Sequence, residues 1–592
     1  MWQLKFMTVL LIVIGGECVP PSVETQFGNI RGQFEFTEKL EFNETEKGIE
    51  AYLGIPYAEP PIKELRFKDP VKWTKNYTNS ELVADKDKPH CIQIDYNGAI
   101  TGEEDCLYMN IFVPKEKKIN STFPVLIFIR GGSFNMGSTN SEAFSPKYLL
   151  RQDVILVTFN YRLNFLGFYS TGNEHAQGNY GLKDMVQVLN WVKENIHKFN
   201  GNPNSVTLFG NSAGAAAIHH LALSKNTKGL FHKIITMSGS ALAPWAYHTN
   251  DNIRNSSLKL ANYAGCYNIS TNKDEKINET NILTCMREKN VTELLKLTQK
   301  FAIWKNSPNC IFGPTLEKDS KTAVIIKSPK QSIEDGDIHI DSWIMGVTSD
   351  EGLGLVNLNE NDYAFLKENF TKIGSEILEY SEVIKNKTNF TKSIVDYYFQ
   401  GNITANITTN FTKMIGDAGI YWPVYNSLKH HFEKLKIYFY HFAYEGTFSI
   451  LGSVNHPHGV AHIDDVGSLF PFLEKMGDNK NLQKNDNDKT MINLMTELFS
   501  NFAKNGVPHA DLTTEWKPYK KENTKFMRIG DKNTTKIEME NDFLVERMQF
   551  WELIMKNTSH PDKKPNGASF NGNNTFLTCL LLTCLGLFSY YL

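Results

Sequence analysis

The strongest constraint on the fold is an alternation of apolar runs and helical patterns between residues 123 and 239. The segments "FPVLIFIR" and "DVILVTFNYR" are almost continuous apolar runs, which are typical of parallel strands buried on both faces. The segment "NYGLKDMVQVLNWVKENIHKF" then has helical spacing, and "NSVTLFG", "AAAIHHLAL" and "KIITMSG" follow as strand, helix and strand. This order predicts an α/β fold with a large, mostly parallel central sheet and helices on both faces.

One serine lies at a junction of these elements, in "TLFGNSAGAAAIHH". Ser212 stands between Gly210 and Gly214, after a predicted strand and before a predicted helix. A G-x-S-x-G sequence in that context is typical of a sharp turn that exposes a nucleophilic hydroxyl, with glycines where the backbones approach closely. The adjacent helix N-terminus favours negative charge. The pattern predicts that Ser212 is a nucleophile rather than a small residue in a tight turn.

An earlier glycine-rich turn, "FIRGGSFNMG", follows the first apolar run directly. Acyl transfer needs backbone N–H groups aimed at the developing oxyanion, and such donors come from turns of this kind. Gly131, Gly132 and Ser133 supply the turn, and the N–H of Ala213 would be the further donor after the nucleophile.

The order serine, acid, histidine requires both remaining groups downstream of Ser212. "WIMGVTSDEGLG" offers Asp350 and Glu351, and "HPHGVAHIDDVGSLF" offers three histidines: His456, His458 and His462. Spacing alone does not choose among them. His456 and His458 also alternate as a metal-binding pair would, but no further set of ligands accompanies them.

The motifs together resemble those of type-B carboxylesterases in the cholinesterase-like α/β-hydrolase family, from about Val23 to Trp551. "AYLGIPYAEPPIKELRFKDP", "EDCLYMNIFVP", "NYRLNFLGF", "SGSALAPWA", "TSDEG" and "GVAHIDDVGSLF" follow the family's order around the serine motif. The resemblance implies a single-domain α/β-hydrolase fold and a serine esterase that uses no metal or organic cofactor.

Carried over position by position, the resemblance gives roles to seven residues. They are the nucleophile Ser212, the acid Glu351, the base His462, the oxyanion donors Gly132, Ser133 and Ala213, and the acyl-pocket residue Trp245.

Several positions depart from the cholinesterase pattern. Asn211 stands where a glutamate often precedes the nucleophile, and the loop "CIQIDYNGAITGEEDC" lacks the tryptophan that would bind a quaternary ammonium group. A carboxylesterase acting on neutral esters is therefore predicted, rather than an acetylcholinesterase. Arg130 and Ser133 depart from the usual oxyanion turn. If Ser133 requires a positive φ, the cost is about 1–2 kcal/mol.

Five of the eight cysteines lie between the two apolar ends of the chain. Pairing nearest neighbours gives Cys91–Cys106 and Cys266–Cys285 and leaves Cys310 unpaired, although spacing alone does not fix the connectivity. The resemblance implies the same two disulfides.

Both ends of the chain look like processing signals. Residues 1–19 have the layout of a secretory signal peptide, with a buried N-terminal strand or helix as the alternative. Residues 20–556 would form the carboxylesterase domain. Residues 557–575 form a polar stalk with a candidate GPI attachment region, and the apolar tail 576–592 would be removed. The alternative is a tail retained as a short membrane anchor. The prediction is a protein secreted or held by lipid at the extracellular face of the membrane.

Glycosylation sequons agree with export. Candidate sites are Asn43, Asn76, Asn120, Asn255, Asn268, Asn278, Asn290, Asn369, Asn386, Asn389, Asn402, Asn406, Asn410, Asn533 and Asn557, with a further sequon at Asn573 near the end of the stalk. In "NITANITTNFT" the asparagines recur every four residues, so that they would share one face if the segment were helical.

The net charge of −3 gives no basic footprint for nucleic acid, and that class of partner is excluded. The predicted function is hydrolysis of small-molecule neutral esters through an acyl-enzyme. The alternative is a non-catalytic, cholinesterase-like adhesion or binding protein at the cell surface. Such relatives usually lack a triad residue, and this chain has all three in matching contexts. A binder that is acylated once and turns over slowly would have the same triad, and protein partners are not indicated.

Overall fold

The apolar runs of the sequence form the centre of the sheet in a computed structural model of the chain. The structure describes residues 19–40, 44–116, 121–268, 277–305, 307–355, 358–403, 408–452, 459–513, 515–532 and 534–559.

The strands in these ranges are β1 (Ser22–Thr25), β2 (Gly28–Arg31), β3 (Gln33–Phe36), β4 (Gly48–Pro56), β5 (Glu81–Val83), β6 (Gln93–Ile94), β7 (Ile100–Thr101), β8 (Tyr108–Pro114), β9 (Phe123–Ile129), β10 (Ile155–Phe159), β11 (Gly201–Asn211), β12 (Lys233–Met237), β13 (Ser342–Thr348), β14 (Lys436–Phe442), β15 (Phe526–Asp531) and β16 (Thr534–Glu540).

The helices are α1 (Asn164–Phe168), α2 (Tyr180–Asn195), α3 (Ala213–Leu223), α4 (Asn250–Tyr263), α5 (Glu279–Glu288), α6 (Val291–Thr298), α7 (Pro329–Asp335), α8 (Glu360–Ile377), α9 (Lys387–Phe399), α10 (Thr408–Gly416), α11 (Trp422–His431), α12 (Asp486–Asn505) and α13 (Val545–Thr558). A π-helical turn, Asp417–Tyr421, joins α10 to α11.

Eleven of the described strands form one sheet, in the order β16-β15-β14-β13-β12-β11-β9-β10-β8-β4-β3. Neighbours from β15 to β10 pair in parallel, and the strands outside that block pair antiparallel. The predicted α/β-hydrolase fold, with a large and mostly parallel sheet, is confirmed.

The central strands are apolar along their length because both faces of the sheet are covered. In β9, Val125, Ile127 and Ile129 face one core. The intervening Leu126 and Phe128 face the other core. Successive side chains in a strand point to opposite faces, so a strand with a core on each side has no place for alternating polar residues.

The parallel block brings the ends of several strands to one edge of the sheet. Ser212 follows β11, Ser238 follows β12, Glu351 comes three residues after β13, and Gly131 comes just after β9. Because parallel strands all end at the same edge, residues far apart in sequence meet there.

Two disulfides join Cys91 to Cys106 and Cys266 to Cys285, which are the pairs that the resemblance implies. Cys310 is free and buried.

The predicted signal peptide and lipid-attachment tail lie almost wholly in residues 1–18 and 560–592, outside the described residues. The helix α13 ends at Thr558, two residues into the segment assigned to the stalk. Within the described ranges, none of the helices combines the length and apolar character needed to cross a bilayer.

Most of the described sequon asparagines are exposed, and only Asn369 is half-buried. The condition for one shared helical face is not met, because Asn402 lies beyond the end of α9 and Asn410 lies in α10. The sequons outside the described residues are Asn43, Asn120, Asn406, Asn533 and Asn573.

Candidate active site

Ser212 occupies a sharp turn between β11 and α3. Its backbone has φ 54° and ψ −124°, a conformation that L-residues rarely adopt. The Ser212 N–H donates to Met237 O at 2.8 Å, and Ser212 O accepts from Ala216 N at 3.0 Å. The strained residue is therefore held from β12 on one side and from the first turn of α3 on the other.

The glycines around Ser212 permit this turn. A Cβ at Gly210 would lie 2.2 Å from Ile129 O, and one at Gly214 would lie 2.0 Å from the same atom. A Cβ at Gly239 would lie 2.2 Å from Ser212 O. Each position is closed to any larger residue because the obstructing atom belongs to the backbone.

Glu351 and His462 form a direct pair. His462 Nδ1 lies 2.6 Å from Glu351 Oε2, and Glu351 is fully buried. The two loops that carry them are joined by Asp350 N donating to Val460 O at 3.0 Å. The neighbouring carboxylate of Asp350 accepts instead from Ser349 Oγ at 2.7 Å. His456 and His458 lie outside the described residues.

Ser212 and His462 both belong to the described part of the chain, and they make no direct hydrogen bond to each other. Catalytic hydrogen bonds in hydrolases without substrate are often long and shorten when substrate binds.

Ser238, Thr348 and Tyr421, which were not among the predicted site residues, hold Glu351. Its Oε1 accepts from Ser238 Oγ at 2.5 Å and from Thr348 N at 2.8 Å. Its own N–H donates to Tyr421 Oη at 3.2 Å, and that hydroxyl donates to Thr348 O at 2.9 Å. Ser238 carried a signal in the sequence, because it lies near the end of "KIITMSG", a segment predicted to be a strand. Tyr421, in the π-helical turn, carried none.

The glycine-rich turn after β9 lies against Ser212. A Cβ on Gly131 would lie 2.8 Å from Ser212 Cβ. The following φ angles are positive: 118° at Gly132, 52° at Ser133 and 57° at Phe134. Ser133 therefore has the positive φ at which the sequence predicts strain.

Three backbone donors of this region face no acceptor within the described part of the protein. There the N–H groups of Gly132, Ser133 and Ala213 make no hydrogen bond to another residue, whereas Gly132 O accepts from the N–H groups of Asn135 and Met136 at 2.9 and 3.1 Å. Free donors beside a strained serine could bind an oxyanion.

Asn211 and Arg130, two of the residues that depart from the cholinesterase pattern, contact the glycine-rich turn. The side chain of Asn211 accepts from Gly131 N at 3.2 Å, which ties the glycine-rich turn to the end of β11. The guanidinium of Arg130 donates to Gly131 O at 3.0 Å and Met136 O at 3.3 Å. A neutral amide and an arginine thus brace the same turn.

The disulfide loop also contacts this turn. Gln93 lies two residues after Cys91, and its amide group exchanges two hydrogen bonds with Gly137, at 2.5 and 3.1 Å. The Cys91–Cys106 bridge therefore anchors a residue that clamps the far end of the glycine-rich turn.

Trp245 lies in the segment after β12 and is partly buried. Its Nε1–H donates to Gly419 O at 3.0 Å. Gly419 belongs to the π-helical turn that also carries Tyr421, so Trp245 is fixed to the element that supports Glu351.

Another buried carboxyl group lies behind the pair. Asp465 is fully buried, and Tyr440 Oη donates to its Oδ2 at 2.7 Å. Burial raises the pKa of Asp465 to about 7, with a smaller effect from the nearby charge of Glu351. Among the described residues, no three histidine, cysteine, aspartate or glutamate side chains lie together as a metal site requires.

Comparisons with known proteins show the family of the chain. The chain matches the carboxylesterase family over residues 19–551. It belongs to that family. The chain is therefore a carboxylic ester hydrolase, with the fold and family that its motifs predict.

Its relatives include esterases of insects and mammals. It is 32% identical to a juvenile hormone esterase of Tribolium castaneum, covering 92% of this chain and 95% of the relative. It is 29% identical to the pyrethroid hydrolase Ces2a of Mus musculus, over 92% and 93% of the two chains. Among solved structures, juvenile hormone esterase from Manduca sexta with OTFP covalently attached superposes with a TM-score of 0.78. That match has 28% identity and covers 91% of this chain and all of the other.

Proposed function

We propose that the protein hydrolyses neutral carboxylic esters through an acyl-enzyme on Ser212. The observation that carries the proposal is the 2.6 Å contact between His462 and the buried Glu351, at the sheet edge where Ser212 occupies a strained turn. A nucleophile, a base and an orienting acid are the groups that acyl transfer requires.

Each group then has a defined role. His462 takes the proton of the Ser212 hydroxyl as the oxygen attacks the ester carbonyl, and Glu351 orients the imidazole and stabilises its charged form. The N–H groups of Gly132, Ser133 and Ala213 stabilise the tetrahedral oxyanion. His462 returns the proton to the leaving alcohol. Water, activated by the same histidine, then releases the acid and regenerates Ser212.

The preference for neutral substrates follows from the residues beside the nucleophile. Asn211 is uncharged, and its side chain is occupied by Gly131 N. The Cys91–Cys106 loop has no tryptophan to bind a quaternary ammonium group. We assign Trp245 to the acyl pocket. The relatives named juvenile hormone esterase make juvenile hormone a substrate to test beside simple aryl and alkyl esters.

We also propose that the protein is exported and tethered at the extracellular face by a lipid. The signal-like residues 1–19, the exposed sequons and the small-residue site before the apolar tail support this location. Treatment of intact cells with phosphatidylinositol-specific phospholipase C would release esterase activity from a GPI-anchored protein. Activity that stays with the cells would indicate a retained membrane anchor instead.

The catalytic proposal is tested by stopped-flow hydrolysis of p-nitrophenyl butyrate by the purified ectodomain, beside Ser212→Ala. We expect a burst of p-nitrophenol followed by steady turnover, both absent in the variant. A burst without turnover would indicate a binder that is acylated once. Equal rates for the two proteins would contradict the role of Ser212 and favour the non-catalytic binding protein.

A further inference from the structure

We propose that Asn309 is a positioning residue, which fixes the oxyanion turn through a hydrogen bond to Ser133. The side-chain amide of Asn309 donates to Ser133 Oγ at 2.7 Å, across 176 residues of sequence. The inference rests on the proposed function, because it assigns a purpose to the serine that stands where a third glycine is common.

Ser133 needs such a partner because of its backbone. Its φ of 52° and the φ of 57° at Phe134 put two successive non-glycine residues in the left-handed region, which persists only where surrounding contacts impose it. A glycine would adopt this conformation without help but would also leave it easily. A serine in the same place supplies a hydroxyl that a neighbouring segment can hold.

A second contact joins the same segment to the turn. The side-chain amide of Asn135 donates to the main-chain oxygen of Asn309. Asn309 thus contacts the turn at two points, Ser133 at the start of the strained pair and Asn135 directly after it.

The segment carrying Asn309 is itself anchored, although its side chain is exposed. The carboxylate of Glu379 accepts from Asn309 N at 3.1 Å and from Cys310 N at 3.3 Å. The side chain of Cys310 is buried, with its Sγ 3.7 Å from Phe312 O. Asn309 is therefore already oriented before substrate binds, and it can impose that order on the turn.

The consequence is kinetic. The Ser133 N–H serves the tetrahedral intermediate rather than the bound ester, so disorder in the turn lowers transition-state stabilisation with little effect on substrate binding. Loss of Asn309 should lower kcat and kcat/KM together and leave KM nearly unchanged.

The test is a double-mutant cycle of Asn309→Ala and Ser133→Ala, with turnover of p-nitrophenyl butyrate as the readout. We expect each variant to lower kcat by about 3- to 10-fold, the range for one hydrogen bond, and the double variant to fall no further. The control is Asn523→Ala, which removes a side-chain hydrogen bond to Pro518 O before β15 and should leave kcat unchanged. Additive losses, or a rise in KM alone, would overturn the proposal.

Hydrogen exchange separates this inference from the catalytic proposal, because it needs no turnover. The N–H groups of Asn135 and Met136 donate to Gly132 O, so their exchange reports opening of the turn. We expect Asn309→Ala to accelerate exchange of both amides, and to add nothing in the Ser133→Ala background. Unchanged exchange would refute the role of Asn309 even in an active enzyme. Accelerated exchange in a protein without turnover would support that role while the catalytic proposal fails.

Discussion

The carboxylate of Glu351 has no contact with solvent and is held by three donors. Ser238 Oγ and Thr348 N bind one oxygen, and His462 Nδ1 binds the other. A buried carboxylate with all of its partners in place is a rigid acceptor, which fixes both the tautomer and the direction of the imidazole.

Glu351→Gln should therefore leave the fold intact and remove most of the activity. The glutamine amide can donate to Nδ1, which stabilises the tautomer that cannot accept the Ser212 proton. By analogy with the corresponding change in serine proteases, we expect kcat to fall by about 10⁴-fold. Steady-state kinetics at pH 8 measure the loss, and thermal unfolding verifies the fold.

Ser238→Ala is the matched control for that prediction. It removes one donor to the other carboxylate oxygen and leaves the His462 contact in place. We expect a loss of roughly tenfold, in line with one hydrogen bond to a charged group. Equal losses in the two variants would contradict the tautomer argument.

Among the elements, the packing of α3 against β9 decides whether the serine turn can form. We expect Gly214→Ala to destabilise the protein by about 2 kcal/mol or more, since its Cβ would meet Ile129 O at 2.0 Å and backbone cannot give way cheaply. Chemical denaturation measures the change.

Gly98→Asn serves as the comparison for Gly214→Ala. Gly98 has φ 80° with open space around its Cβ position, and asparagine tolerates that conformation. Its effect should stay within about 0.5 kcal/mol. Similar effects at both positions would show that close approach is not what fixes the serine turn.

Removal of the two disulfides should have similar effects on stability but different effects on kcat. Replacing either cysteine pair by alanines should cost about 3 kcal/mol, since the bridges span 15 and 19 residues. Loss of Cys91–Cys106 should also lower kcat by roughly tenfold, because Gln93 then holds Gly137 less firmly and one donor drifts from its position. Loss of Cys266–Cys285 should leave kcat unchanged. Equal kcat values for the two double variants would contradict the proposed role of Gln93 in holding Gly137.

At the scale of the whole molecule, the sheet could be predicted from sequence because its strands are local apolar runs. The site could not be assembled in the same way. Spacing left Asp350 and Glu351 as alternatives, and only the resemblance to a family chose Glu351. In the folded protein, β12 and β13 are neighbours, and this pairing places Ser238 against Glu351 rather than Asp350. Strand order of this kind cannot be read from local spacing. The contact between Asn309 and Ser133 joins two loops that approach each other only in the folded chain, and no local sequence pattern predicts it.

Stability should fall in mild acid because histidines are buried uncharged in the core. His219 and His431 face each other at 3.2 Å between their Nε2 atoms. Burial lowers the pKa of His431 to about 3 and that of His219 well below its usual value. The unfolded chain therefore binds protons below about pH 6.5 that the folded chain does not, so this stability is complete above that pH and is lost as the pH falls.

His431→Gln should remove part of that dependence. From pH 6.5 to pH 5, protonation of one such histidine in the unfolded chain costs about 1.6 kcal/mol. We expect the wild type to lose about that much stability relative to the variant over the same interval, measured by guanidinium unfolding at both pH values. A constant difference between the two proteins would show that His431 is protonated in the folded state.

Rapid-quench mass spectrometry can detect the acyl group that the proposed mechanism places on Ser212. The protein would be mixed with p-nitrophenyl butyrate, quenched in acid within milliseconds and digested. We expect a butyryl group on the peptide that contains Ser212, appearing with the p-nitrophenol burst and disappearing as substrate is exhausted. Turnover with no acylated peptide, or with the acyl group on another residue, would contradict the mechanism.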